Sequence, residues 1–132
     1  MPDDYIDWPH PSPVLDAIGG LRRHPDDPLL AGFNVDQRKV NGRGFLHAGV
    51  IATLGDVTIG HALGALAEPG QRYVTVNLSC DLLGVAHLDD WVDITISPTR
   101  TGRRLAAGAA SFHTDRPIAT VTALFMPARS NA

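Results

Sequence analysis

The most apolar stretch of the chain predicts one long buried helix. It runs from Ala48 to Ala67 and carries a single charged residue, Asp56. Glu68-Pro69-Gly70 follows it as a stop signal, because proline and glycine do not continue a helix. The stretch is roughly as long as a membrane span, but Asp56, His61 and four glycines interrupt it. We therefore predict the core helix of a globular domain and no membrane partner.

After this helix, apolar and polar residues alternate with period two, which predicts antiparallel strands. The residues expected to share one face of the first strand are Val74, Val76, Leu78, Cys80 and Leu82. Thr75 and Asn77 fall on the opposite face. Three further strands are predicted over 92–97, 105–113 and 118–126. Because Cys80 shares the apolar face, we expect a buried and unreactive thiol.

The part of the chain before the helix predicts one strand and a tight turn. The strand is predicted over Leu29–Val40, and the turn is predicted over Asn41–Gly44. Residues 1–28 predict an N-terminal extension with a short helix that starts at Ser12-Pro13. Strands and helices do not alternate, which argues against a parallel nucleotide-binding sheet. We predict a single α+β domain over 1–132, in which an antiparallel sheet of about five strands curls around the helix.

Composition narrows the functional classes. The chain has 132 residues, a formal net charge of -3 and no basic run longer than Arg103-Arg104, so we expect no nucleic-acid partner. Cys80 is the only cysteine, which is typical of a reducing compartment. The acidic N-terminus lacks the apolar segment of a signal peptide. The expected location is the cytoplasm.

Two features of the helix point to acyl chemistry. Asp56 lies among apolar residues, where an unpaired carboxylate costs several kcal/mol. The segment opens with His47-Ala48-Gly49, a helix start whose free backbone N–H groups can hold an oxyanion. A carboxylate together with a group that polarises a carbonyl is the minimum needed to hydrolyse an acyl derivative.

These residues resemble a known family. His47-Ala48-Gly49 followed by Asp56 is similar to the HGG…D/E signature of hotdog-fold acyl-CoA thioesterases, in particular the PaaI-like (phenylacetate-pathway) branch of the 4-hydroxybenzoyl-CoA thioesterase superfamily. The resemblance covers residues 30 to 127, and Thr101–Leu105 matches the family's turn between its third and fourth strands. It implies a hotdog fold and the hydrolysis of a small or medium acyl-CoA, aryl-CoA included, with no metal and no cofactor other than the coenzyme A of the substrate.

The resemblance also implies a set of site residues. They are Asp56, Ala48, Asn41, Thr75 and His47 for catalysis, and Gly49, Arg103 and Arg104 for substrate binding. Asp56 would act as general base or nucleophile, and both roles occur in the family. Asn41 and Thr75 would orient the water or the carboxylate. The arginines would meet the phosphates of coenzyme A. Two roles are open to His47, general acid–base work and capping of the helix start, and capping is favoured.

Ala48 is where the chain departs from the family, which usually has glycine there. The family uses the backbone N–H of this residue, so alanine preserves the donor, while its methyl group narrows the approach of the acyl group. Ala48 and Asp56 are eight residues apart, roughly 12 Å along a helix. One helix cannot bring both to one carbonyl, so we predict a site shared between two chains of a homodimer or a dimer of dimers.

Two other functions remain open at this point. The spacing of Asp56 and His61 matches enoyl-CoA hydratases or dehydratases of the same fold. Those enzymes break the helix with an Asn-Pro pair between the two residues, whereas Val57-Thr58-Ile59 continues a helix here. The third function is a non-catalytic acyl-CoA-binding domain. The continuous helix disfavours the hydratase, and retention of a carboxylate at position 56 favours catalysis over binding alone.

Overall fold

The structure, a computed structural model, describes residues 2–128. A seven-stranded antiparallel sheet in the order β1-β2-β3-β5-β6-β7-β4 wraps around one long helix. The elements are β1 Ile6–Asp7, α1 Pro13–Ile18, β2 Arg22–Arg23, β3 Leu30–Asn34, a 3₁₀ helix Gln37–Lys39, α2 Ala48–Leu66, β4 Tyr73–Leu82, β5 Trp91–Thr101, β6 Ala106–His113 and β7 Pro117–Pro127. The predicted α+β fold and the central helix are confirmed.

The sheet covers only one side of α2. The fully buried residues on that side include Leu54, Ile59 and Leu63, and they belong to the same core as Val121 and Phe125 of β7. The opposite side, which includes Thr53, Val57, Gly60 and Gly64, is at least partly exposed. The expectation of a helix without a solvated face was therefore wrong for a single chain. By length and composition α2 could cross a membrane, yet here it packs against four strands.

The segment before α2 differs from its prediction. The strand predicted over Leu29–Val40 ends at Asn34, because the Asp36 side chain accepts the Arg38 N–H and starts the 3₁₀ helix. Partial burial would raise the pKa of Asp36, but hydrogen bonds from Arg38 and Lys39 outweigh it and lower that pKa to about 2. Lys39 is fully buried, and its carbonyl accepts the His47 N–H at 2.8 Å. This connection fixes the chain where α2 begins.

The N-terminal extension is part of the sheet. It contains the predicted helix, with Ser12 as N-cap and Pro13 in the first turn. It also contributes β1 and β2, which pair with each other and, through β2, with β3. Two-residue strands are too short to show an alternating pattern, which is why the sequence did not predict them. The sheet thus gains two strands at this edge.

A β-bulge in β4 changes which residues share a face. The register with β7 shifts between Thr75, which pairs with Phe125, and Asn77, which pairs with Leu124. Val76 is the extra residue. Directly paired residues point to the same face of a sheet, so Thr75 points to the inner side with buried Phe125, while Asn77 points outward. The predicted alternation, which placed Thr75 and Asn77 on one face, was wrong.

Cys80 corrects a second expectation about β4. Its thiol is exposed, although its partner Val121 is fully buried on the inner face. The reason is that β4 is the last strand of the sheet, and in one chain it is exposed along nearly all of its length. Inner-face position in this strand does not mean burial within one chain.

α2 lies unusually close to β7 at Gly55. A Cβ there would stand 2.8 Å from the Cβ and both Cγ atoms of Val121, so Gly55→Ala should destabilise the fold by about 1–3 kcal/mol, the scale of overpacking. Gly64→Ala is the matched control in the same helix, because its Cβ meets nothing within 4 Å and alanine favours a helix by up to about 1 kcal/mol. Urea unfolding at equal protein concentration measures both. Equal stability of the two variants would show that contact with Val121 does not limit this position.

Candidate functional site

The first turn of α2 leaves one backbone donor free. The His47 carbonyl accepts the N–H groups of Val50 and Ile51, and His47 Nδ1 accepts the Gly49 N–H at 2.8 Å. Within residues 2–128, the Ala48 N–H has no hydrogen-bond partner. It is exposed and lies at the positive end of the α2 dipole. This arrangement suits an oxyanion or a carbonyl oxygen as ligand.

His47 and Gly49 form one capping unit. A Cβ on Gly49 would stand 3.0 Å from His47 Nδ1, so glycine leaves the room that the imidazole needs to act as N-cap. Because the Gly49 N–H is already used by His47, Ala48 carries the donor that a substrate can reach. The sequence prediction of a capping role for His47 agrees with this geometry.

Asn41 lies in the turn that leads to this helix start. Its Oδ1 accepts the N–H groups of Arg43 and Phe45 at 2.9 and 3.1 Å, so the carboxamide oxygen stabilises the turn. Asn41 and Ala48 line one cleft of about 490 Å³, whose other wall is formed by Leu82–Val85. The structure thus places Asn41 in the same cleft as Ala48, and its part in the reaction stays a prediction.

Asp56 and Thr75 meet two turns further along α2. Thr75 Oγ1 donates to Asp56 Oδ1 at 2.5 Å. The bulge at Val76 makes this contact possible, because it places Thr75 on the side of the sheet that faces the helix. The bond occupies one carboxylate oxygen, and within residues 2–128 the other oxygen has no hydrogen-bond partner. A carboxylate held in this way can accept a proton or attack a carbonyl.

One chain does not bring the two halves of the site together. α2 runs unbroken from Ala48 to Leu66, so the Ala48 N–H and the Asp56 carboxylate are roughly 12 Å apart along its axis. The same continuity separates Asp56 from His61, which packs against Trp8 with ring centroids 4.6 Å apart. The hydratase arrangement, which requires a break between these two residues, is therefore not formed.

Arg103 and Arg104 lie at the other end of α2. They occupy the exposed turn between β5 and β6, and Arg103 is 3.5 Å from the carboxylate of Glu68, just past the end of the helix. Since α2 spans 18 residue steps, roughly 27 Å, the arginines are remote from Ala48 of their own chain. Their predicted contact with coenzyme A stays a prediction.

The β4 edge exposes a band of apolar residues. In the described chain β4 pairs only with β7, which leaves the backbone groups along its outer edge without a strand partner. The exposed apolar residues in and after β4 include Val76, Leu78, Leu82, Leu83 and Val85, with Leu83 61% exposed. An exposed apolar edge strand is a ready surface for pairing with another chain.

Comparison with known proteins identifies relatives of this architecture. Residues 43–119 match the family described as the Thioesterase superfamily. A Pseudomonas aeruginosa protein named "Putative esterase" is 31% identical over 128 residues, which cover 95% of this chain and 96% of the relative. Zebrafish thioesterase superfamily member 2 has the same fold, with a TM-score of 0.78, 23% identity and coverage of 88% of this chain and 87% of that protein.

A third relative was solved with a ligand. A hypothetical thioesterase from Streptococcus pneumoniae, crystallised with coenzyme A, has a TM-score of 0.68 and 22% identity, and the match covers 83% of this chain and 82% of that chain. At this identity the likeness shows the fold. The hotdog architecture expected from the sequence is confirmed by these matches.

Replacing His47 tests the capping unit. His47→Ala removes the acceptor of the Gly49 N–H and should lower the free energy of unfolding by about 1 kcal/mol, the usual value of an N-cap. His47→Asn keeps a side-chain acceptor that can reach the Gly49 N–H, so its free energy of unfolding should stay close to that of the parent protein. Urea unfolding measures both variants. If neither variant changes stability, the imidazole does not cap α2, and a role in the reaction becomes the better explanation of its position.

Proposed function

Because this chain belongs to the thioesterase superfamily, we propose that it hydrolyses an acyl-CoA thioester to a free acid and coenzyme A. The observation that carries the proposal is the unpaired Ala48 N–H at the start of α2, in the same helix as an Asp56 carboxylate oriented by Thr75. One group polarises a carbonyl and the other supplies a base or nucleophile. Hydrolysis of a thioester needs both.

The reaction follows from these two groups. The Ala48 N–H, aided by the helix dipole, donates to the carbonyl oxygen and stabilises the oxyanion that forms there. Asp56 either takes a proton from the water that attacks the carbonyl carbon, or attacks that carbon itself to form a mixed anhydride that water then cleaves. In both routes the C–S bond breaks, the sulfur leaves as the thiol after protonation, and the acyl group ends as a carboxylic acid. Asn41 and Thr75 orient the water and the carboxylate.

The proposed catalytic unit is a homodimer. If two chains pair through their β4 edges, the two sheets become continuous and the apolar band between Val76 and Val85 is covered. The uncovered sides of the two α2 helices then face each other in antiparallel orientation. Asp56 of one chain would lie beside Ala48 of the partner subunit. The dimer would thus bring together the two groups that one helix holds roughly 12 Å apart. Pairing of dimers into a tetramer is compatible with this arrangement.

The nature of the substrate is proposed from chemistry and relatives. The pneumococcal relative was crystallised with coenzyme A, which supports a coenzyme A thioester as substrate. Gly49 leaves the helix start accessible, and Arg103 and Arg104 are available for the phosphates. The methyl group of Ala48 favours small or medium acyl groups, and a PaaI-like branch is the most specific placement that we propose. No further cofactor is needed, and the cytoplasm is the proposed location.

The reaction is tested by thiol release from acyl-CoA substrates and by replacing Asp56. Asp56→Asn keeps size but removes the base or nucleophile, and should lower turnover at least about 100-fold with the fold intact. Thr75→Val removes the hydroxyl that orients the carboxylate and should lower turnover about 10-fold, the scale of a hydrogen bond to a charged group. Thr122→Val on the outer face of β7 is the matched control and should leave turnover unchanged.

Three outcomes would contradict the proposal. Normal thiol release by a folded Asp56→Asn variant would show that the carboxylate is structural. Loss of the enoyl absorbance of crotonyl-CoA without release of a thiol would identify a hydratase instead. Tight binding of acyl-CoAs that stay intact for hours would identify a binding domain.

A further inference from the structure

Lys39 is a fully buried charged residue that the mechanism proposed above does not use. Its side chain is 0% exposed and belongs to the largest fully buried side chains of the described residues. Burying an ammonium group costs several kcal/mol unless it is paired, and apolar residues of similar volume usually give a fold of equal or greater stability. The stability of the core alone therefore does not explain a lysine at this position, and its contacts indicate a different task.

The ammonium group of Lys39 joins two segments of the chain. Its Nζ donates to Asp36 Oδ2 at 2.9 Å and to the Ile18 carbonyl oxygen at 3.2 Å. Asp36 is the N-cap of the 3₁₀ helix that contains Lys39, whereas Ile18 is the last residue of α1. The side chain of Lys39 thus holds the N-terminal segment against the 3₁₀ helix.

The end of α1 has room for this side chain. Gly19 and Gly20 both have a φ of +71°, a conformation that glycine adopts without strain, so the chain turns away directly after Ile18. A Cβ on Gly20 would stand 3.5 Å from Lys39 Nζ. α1 is itself anchored, because Leu15 and Ile18 pack against the hydrophobic core. The Ile18 carbonyl is therefore a fixed acceptor for the ammonium group.

The backbone of Lys39 fixes the start of α2. Its carbonyl accepts the His47 N–H at 2.8 Å. Beside this bond, Val40 and Leu46 form a β-bridge, and the two contacts close a hairpin whose last residue, His47, is the N-cap of α2. A displacement of the Lys39 carbonyl would move His47 and, with it, the free N–H of Ala48. One residue therefore connects α1 to the backbone donor.

We infer that Lys39 is a positioning residue for the oxyanion donor. Its side chain locks the 3₁₀ helix to α1, and its carbonyl thereby holds His47 where the Ala48 N–H can reach the cleft. This role rests on the thioesterase activity proposed above, and it gives the N-terminal segment a part in that reaction. Small displacements matter at such a donor, since misplacing a group by about 1 Å can lower a rate about 100-fold.

Steady-state kinetics of thiol release test this role. Lys39→Met removes the ammonium group and keeps an unbranched buried side chain. It should lower kcat at least about 10-fold while KM stays within about 2-fold, because the displaced donor acts mainly on the transition state. Arg38→Met is the matched control, since Arg38 bonds the same Asp36 carboxylate at 2.9 Å but is exposed and should leave kcat unchanged. A normal kcat in folded Lys39→Met would overturn the inference.

A double variant separates the link to α1 from the charge balance of the ion pair. Lys39→Met combined with Asp36→Asn removes both charges together, so no carboxylate is left without its partner, and asparagine still caps the 3₁₀ helix. This variant should fold and show the same loss of kcat, because the bond to the Ile18 carbonyl is still absent. Recovery of the parent kcat would show that only the charge balance matters and would overturn the link to α1.

Mixed dimers locate the effect within the shared site. When an Asp56→Asn chain pairs with an Ala48→Pro chain, the one complete site takes Ala48 from the first chain and Asp56 from the second. Lys39→Met should lower turnover about 10-fold when it is placed in the first chain, because it then displaces the donor that is in use. In the second chain it should leave turnover unchanged. Equal losses in both placements would show that Lys39 supports only the fold and would overturn the inference.

Hydrogen exchange tests the link without any catalysis. In Lys39→Met, the His47 N–H, which donates to the carbonyl of residue 39, should exchange about 5- to 10-fold faster, the weight of one hydrogen bond. The Leu46 N–H, which donates to the Ala86 carbonyl at 2.9 Å, is the internal reference and should not change. Unchanged exchange at His47, or an equal increase at both amides, would overturn the inference. If His47 alone responds but no acyl-CoA is hydrolysed, the link through Lys39 stands and the proposed function alone has failed.

Discussion

The rigidity of one unbroken helix governs the proposed chemistry. α2 carries both a free backbone donor at Ala48 and a carboxylate at Asp56, and a straight helix holds them roughly 12 Å apart. No side-chain rotation closes that distance. In the proposed homodimer, the exposed edge of β4 and the uncovered side of α2 are the surfaces through which a second chain would complete the site.

Several local features fix the two ends of this arrangement. At the start of α2, the carbonyl of the buried Lys39 accepts the His47 N–H. The His47 imidazole accepts the Gly49 N–H, and the Ala48 N–H stays free. At Asp56, the close approach of Gly55 to Val121 brings the helix onto the sheet, and the bulge at Val76 turns Thr75 toward the carboxylate. Each of these contacts positions a functional group indirectly, by placing the backbone that carries it.

The sequence predicted the long helix and the strands that follow it well, because a continuous apolar run and a period-two pattern each have one simple structural reading. The hotdog fold was predicted from the resemblance and is confirmed by the matches to solved relatives. The bulge in β4 was not predictable in this way, since one extra residue leaves no mark on the pattern of apolar positions. It places Thr75 on the inner face of the sheet, whereas Asn77 stays on the outer face. β3 ends early because the Asp36 side chain accepts a backbone N–H and starts the 3₁₀ helix. A pattern of alternating residues does not reveal such a hydrogen bond.

The most direct test of the shared site is complementation between two inactive chains. Ala48→Pro removes the donor at a helix position that tolerates proline, and Asp56→Asn removes the carboxylate. Each variant alone should be inactive. In a mixed dimer, Asp56 of the first variant meets Ala48 of the second, which restores one of the two sites. Tandem-purified mixed dimers should therefore recover about half of the parent thiol release. Mixed dimers that are as inactive as either variant alone would show that the site does not combine these residues from two chains.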